Sequence, residues 1–222
     1  SAAGTGGIVH YDAVVDSTWT GTAGTEATLA TGAVVAMYAT VQEALDAADA
    51  QTGAYSIRIN EGANSGTYNE SITFPAGLAS TEFIHLIGEG QKKITVGLTT
   101  GDACTFASGS PEYYLKNIRF RGSTASGHSV TSSGTNIAAH FEDCEFDASV
   151  SADFSTASFR RCQFDNGYDV DVGDTPATVV FSDCQFNGAS TWSAAISQHY
   201  FVNCHWSSAA DTVTSTSTVT NV

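Results

Sequence analysis

The sequence predicts an all-β chain, wound as a single-stranded parallel β-helix behind a short N-terminal capping helix. Three observations carry that prediction. First, one short phrase is written four times, as Phe141-Glu-Asp-Cys144-Glu-Phe146, Phe159-Arg-Arg-Cys162-Gln-Phe164, Phe181-Ser-Asp-Cys184-Gln-Phe186 and Phe201-Val-Asn-Cys204-His-Trp206, with a looser copy at Leu115-Lys-Asn-Ile118-Arg-Phe120. The copies recur about every 20 residues, the period of a solenoid in which each repeat is one coil. Second, Cys144 and Phe146 share a strand face, whereas Phe141 joins them only if the chain bends between, as a β-helix corner requires. Third, Thr40 to Ala50 is the one stretch with helical spacing, with Thr40 and Glu43 forming a capping-box pattern ahead of the stripe Val41, Ala44, Leu45 and Ala48.

Each element follows in order. Residues 1–38 carry no repeat; Ile8 to Val15 is strand-like, and the Thr/Gly/Ala-rich stretch from Asp16 to Thr31 reads as an extended docking arm or as a cap over the first coil. The helix then covers the open end of the core. Residues 39–208 form the β-helix domain. Stacking its coils at roughly 4.8 Å puts Cys144, Cys162, Cys184 and Cys204 in one internal column and Phe146, Phe164, Phe186 and Trp206 in another. Polar Asp143, Arg161, Asp183 and Asn203 precede each Cys, where a side chain can bond to a turning backbone. Residues 209–222 form a C-terminal tail in which Asp211 to Val222 is mostly Thr, Ser and Val in near alternation with no charge after Asp211, a strand suited to pairing, including by exchange with a neighbouring copy.

Composition excludes several roles. With 8 Lys and Arg against 23 Asp and Glu the formal charge is −15, the wrong sign for holding a phosphate backbone, so no nucleic-acid partner is expected. No run reaches the length of a membrane span, so no membrane insertion is expected. The five Cys show no Cys-x-x-Cys spacing, and buried thiols explain four of them, with a disulfide between neighbouring coils as the alternative. Cys104 stands outside the column. The six His show no ligand spacing, and no cofactor is expected. Asp165, Asp169, Asp171 and Asp174 are clustered enough for a cation, but they also suit a solvated turn. Ser110-Pro-Glu-Tyr-Tyr114 and Trp192 offer aromatic faces to sugar rings or to edge packing.

The helix at Thr40–Ala48, the Gly66-Thr-Tyr68-Asn-Glu70 motif, Phe74-Pro75 and Leu86-Ile-Gly88-Glu-Gly90 together resemble the opening coils of pectin methylesterases and related right-handed β-helix proteins of the pectate-lyase type. That resemblance implies a right-handed coil. In the esterases a Gln serves the oxyanion, one Asp is the general acid, a second is the nucleophile and an Arg orients it. Here His128 stands in the Gln position, Ser151 in that of the acid and Asp169 in that of the nucleophile, followed by Gly173. No Lys or Arg occurs after Arg161, so the Arg is missing. Asp153, two residues beyond the acid's place, and His128 are the substitutes within reach.

With one family position of four retained, the expected protein is not an enzyme. The fold and the acidic Thr/Ala/Gly/Ser composition resemble viral head decorations, spikes and turrets. The expectation is therefore a virion surface protein, homotrimeric, docked by residues 1–38 on other virion proteins, with host-surface glycan as a further ligand of loops 122–134 and 165–175. The alternatives are a carbohydrate esterase or lyase acting on acidic polysaccharide through Asp169, and a secreted glycan-binding surface protein.

Overall fold

The computed structural model describes residues 11–62, 65–76, 81–107, 112–123, 127–133, 137–166, 169–170, 178–187, 191–192, 198–207 and 219–221. They form an all-β structure with one helix, built on an 11-stranded, a 7-stranded, a 4-stranded and a 2-stranded sheet. The chain visits these in rotation. Gly53–Ile59 lies in the long sheet, Thr67–Tyr68 in the second and Ile72–Phe74 in the third, and Thr81–Gly88 then returns to the long sheet beside Gly53–Ile59. Among the described residues every strand pair is parallel except Thr25–Thr28 against Val34–Tyr38. Rotation through parallel sheets is compatible with a β-helix-like solenoid.

Corners explain how the repeated phrase keeps three side chains inside. Asn117, Asp143, Arg161, Asp183 and Asn203 have φ of 56°, 55°, 51°, 55° and 52°, the left-handed region. One left-handed residue turns the chain from the long sheet into the second and resets the side-chain alternation. Phe141, Cys144 and Phe146 are therefore all buried. Asn and Asp tolerate this geometry, but Arg161 needs outside help: its Nε lies 2.7 Å from Asp143 Oδ1 and its Nη2 2.7 Å from Glu142 Oε1.

Inside, rings run in two files. Phe141, Phe159, Phe181 and Phe201 are in register, with successive centroids 4.8, 5.0 and 4.9 Å apart and nearly parallel rings. Phe120, Phe146, Phe164, Phe186 and Trp206 form the second file. The files meet edge-on, as at Phe141 and Phe146 (5.4 Å, 74°), the arrangement that the ring quadrupole favours. Trp206 and Cys204, the last described members of their files, are only partly buried. All five cysteines are free thiols. Those of the column donate to carbonyls of the preceding coil, Cys162 Sγ to Phe141 O (3.5 Å) and Cys184 Sγ to Phe159 O (3.3 Å). Cys104 belongs to a different file, in register with Ile72 and Val130 in the third sheet.

At the N-terminal end Val41–Asp49 is helical with the full capping box, and Val41, Ala44, Leu45 and Ala48 are buried. Glu70 makes the Gly66–Glu70 motif structural. Its carboxylate accepts the Val41 and Gln42 N–H groups at 2.8 and 3.0 Å, tying the first coil to its cap. Of residues 1–38, Ala13–Val15 is buried and pairs with both Val34–Tyr38 and Gly53–Ile59, continuing the long sheet. Val219–Asn221 pairs with Gln198–Val202 of its own chain at the other end. No helix among the described residues is long and apolar enough to cross a membrane.

The long sheet's inner face carries one imidazole among its apolar side chains. His199 follows Tyr113, Ala139, Ala157 and Val179 in register along the inner face and is buried. Burial pushes its pKa down from 6.5 to about 4. The folded chain therefore keeps the imidazole neutral where the unfolded chain takes up a proton, so stability falls as pH drops from about 6.5 toward 4. Replacing His199→Val, which continues the file from Val179, is expected to remove about 2 kcal/mol of the loss between pH 7 and pH 5. Urea unfolding at the two pH values checks this; an unchanged difference would show that His199 is not the titrating group.

Candidate functional site on the long sheet

The outer face of the long sheet collects chemistry that the inner face excludes. Side chains alternate along each strand, and the parallel register aligns outward residues into rows. Ser56, His85, Tyr114, His140 and Ser158 form one row. Phe83, Glu112 and Ala138 form the row on one side, and Arg58, Ile87, Lys116, Glu142 and Arg160 that on the other. A groove of ≈ 640 Å³ opens on these rows.

A bulge sets the last step of the central row. Ile137 pairs with Phe154, but Ala138 pairs with Thr156, so Ser155 is an extra residue. Continuing the first register would set His140 opposite Ala157; the insertion sets it opposite Ser158 instead.

The polar groups converge on His140. Its Nε2 lies 2.6 Å from Glu112 Oε1 and its Nδ1 2.6 Å from Ser158 Oγ. A carboxylate only accepts, so Nε2 carries the proton and donates, and Nδ1 accepts from the Ser158 hydroxyl. Tyr114 stacks on the imidazole at 4.7 Å and 19° and donates its hydroxyl to Glu112 Oε1 (2.8 Å). Burial, followed by that carboxylate, raises the Tyr114 pKa. His85 meets Tyr114 edge-on at 5.0 Å, and Phe83 lies 6.0 Å away. Burial lowers the His85 pKa. At the rim Glu142 binds Lys116 Nζ at 3.0 Å and Arg161 Nη2 at 2.7 Å; the Lys116 hydrogen bond first, and then that of Arg161, hold its carboxyl below the usual range. Arg160 Nη1 is 3.7 Å from Glu142, with the side chain 58% exposed.

The residues that the sequence points to lie elsewhere. His128 is held by Asp102, whose Oδ1 accepts the His128 backbone N–H at 2.7 Å and lies 3.0 Å from Nδ1. The Asp153 N–H donates to Ser132 Oγ. Asp169 sits in the short strand Asp169–Val170, paired with Thr191–Trp192, and its side chain lies outside the described residues. Asp171 and Asp174 lie outside them as well, as do parts of both loops expected to face glycan. Asp165 instead joins Glu145 and Asp147 of the preceding coil, three carboxylates within 4.8 Å of one another. Arg119 Nε already lies 2.8 Å from Asp147 and 3.4 Å from Glu145, and Lys93 Nζ lies 3.7 Å from Glu145, so two side-chain cations already offset part of this cluster's charge. Of the Tyr pair, Tyr113 is buried and Tyr114 faces the groove.

Glu112, His140 and Ser158 carry no signal in the sequence, being 28 and 18 residues apart in strands whose outward positions do not repeat. Comparison of the chain with protein-family models, with curated proteins and with solved structures finds no match.

Proposed function

We propose that the protein is a right-handed parallel β-helix serving as an attachment module on the outside of a larger assembly, and that its groove on the long sheet holds a glycan. The groove carries this reading: it is the place where aromatic, apolar and hydrogen-bonding groups converge on a scaffold locked rung by rung. Tyr114, His140, Phe83 and Ile87 line the groove beside Ser158, Lys116, Glu142 and Arg160, so ring and apolar surface for a sugar face lies next to polar groups for its hydroxyls. The right hand follows from the general preference of strand–connection–parallel-strand units. A formal charge of −15 suits a solvated outer surface, and a virion decoration, spike or turret in trimeric form is the assembly that fold and composition fit by analogy.

Glycan-array screening followed by titration calorimetry tests the groove. Tyr114→Ala is expected to weaken binding at least about tenfold, equivalent to the loss of one well-placed aromatic contact, with unchanged circular dichroism. Equal affinity in the variant, or no glycan bound by the intact protein, would overturn the reading.

A further inference from the structure

The geometry points to Ser158 as an activated nucleophile, with His140 as its general base and Glu112 as the group that positions the base, forming a hydrolytic site for O-acyl esters in the long-sheet groove. This departs from the expectation of a catalytically silent chain and uses none of the residues matched to the esterase family.

Hydroxyl nucleophiles need a base within hydrogen-bond reach and a third group to fix that base. Ser158 Oγ and Glu112 Oε1 each lie 2.6 Å from His140, on opposite ring nitrogens. The carboxylate fixes the proton on Nε2 and leaves the Nδ1 lone pair facing the hydroxyl. The nitrogens exchange their commonest roles, but the proton path is the same. Tyr114 stacked beneath the imidazole keeps it from rotating off this line. Ser158 and Arg160 are two residues apart on one strand and so share the outer face. Arg160, tied to Glu142 only at 3.7 Å, is the group able to turn toward an oxyanion formed on a Ser158 adduct.

In the reaction Ser158 Oγ bonds to the acyl carbon as its proton passes to His140 Nδ1. The carbon–oxygen bond to the alcohol then breaks, and Nδ1–H protonates the departing oxygen. Water, deprotonated by the same nitrogen, attacks the acyl-serine; the acid leaves and Ser158 recovers its proton. That the alcohol is a saccharide hydroxyl, and the substrate an O-acylated glycan, rests on the glycan reading of the groove. The nucleophile does not.

The intact protein is treated with an alkyl fluorophosphonate, which forms an Oγ–phosphorus bond with loss of fluoride and needs no glycan. Mass spectrometry is expected to find one adduct, on Ser158, absent from Ser158→Ala and formed at least about 100-fold more slowly in His140→Phe, which keeps a ring on Tyr114. Glu112→Gln is expected to lower the labelling rate, and Glu112→Asp, which keeps a carboxylate, to restore part of it, with the circular dichroism of both unchanged. No adduct on Ser158 in folded protein, or an unchanged rate in His140→Phe, would reduce the three residues to a hydrogen-bonded surface ladder. Labelling without acetate release from O-acetylated oligosaccharides would leave the nucleophile standing and overturn the saccharide substrate.

Discussion

Replacing Phe159 by alanine is expected to lower the free energy of unfolding by about 4 kcal/mol, in the upper range for truncating a core ring. Phe159 is fully buried, and it is stacked on both sides, on Phe141 at 4.8 Å and Phe181 at 5.0 Å. It also meets the edges of Phe146, Phe154 and Phe164. A void there cannot be filled by one neighbour moving, since each neighbour is itself held by the ring beyond it. Phe201, near the end of the described file and stacked on Phe181, provides the comparison; its truncation is expected to cost about half as much. Urea unfolding by fluorescence and circular dichroism reads both. Because coils contact only their nearest neighbours, the Phe159 variant is also expected to unfold less cooperatively, the two probes giving separate midpoints. A cost near 1 kcal/mol would mean that the files are not close-packed.

Gly97→Ala is the second large effect, with an expected loss of at least about 3 kcal/mol. Gly97 follows the strand Ile94–Val96 at φ 133°, a region that an L side chain rarely enters, and a Cβ would stand 2.2 Å from the Arg121 carbonyl oxygen and 2.8 Å from Ala103 Cβ. Arg121 cannot yield, because its own N–H is committed to Val96 O at 2.8 Å. Gly53 separates strain from collision: its φ is 76° and nothing lies within 4 Å of an added Cβ. Gly53→Ala is therefore expected to cost only about 1 kcal/mol. Equal losses at the two positions, measured by urea midpoint, would show that backbone strain alone accounts for both.

The interior is legible in the sequence because it repeats. Phe, Cys and Phe at fixed offsets imply a bend, and the bend lies at Asp143, Arg161, Asp183 and Asn203, one residue before each cysteine. The helix is legible from Thr40 and Glu43, whose reciprocal hydrogen bonds are formed. What the repeat does not convey is the outer face, where solvent relaxes the demand for identical residues and each coil carries its own. Glu112, His140 and Ser158 become neighbours only through register, and that register depends on an extra residue, Ser155, which period counting does not detect. Family motifs point to Asp169 and His128, yet His128 is occupied by Asp102. Glu70, in sequence only a member of a motif, holds the helix N-terminus.

Ser155 acts as a one-residue shim between two counting frames. Below it, Ile137 and Phe154 face inward as partners; above it, Phe141 and Phe159 do so as well, although the intervals differ by one. With the shim withdrawn, Phe154 adjoins Thr156 and a single interval serves the whole strand, so Ile137 and Phe154, His140 and Ser158, and Phe141 and Phe159 all keep their partners and their faces. A deletion at this point is therefore expected to leave the interior and the groove both in register, the ladder losing only its irregular step.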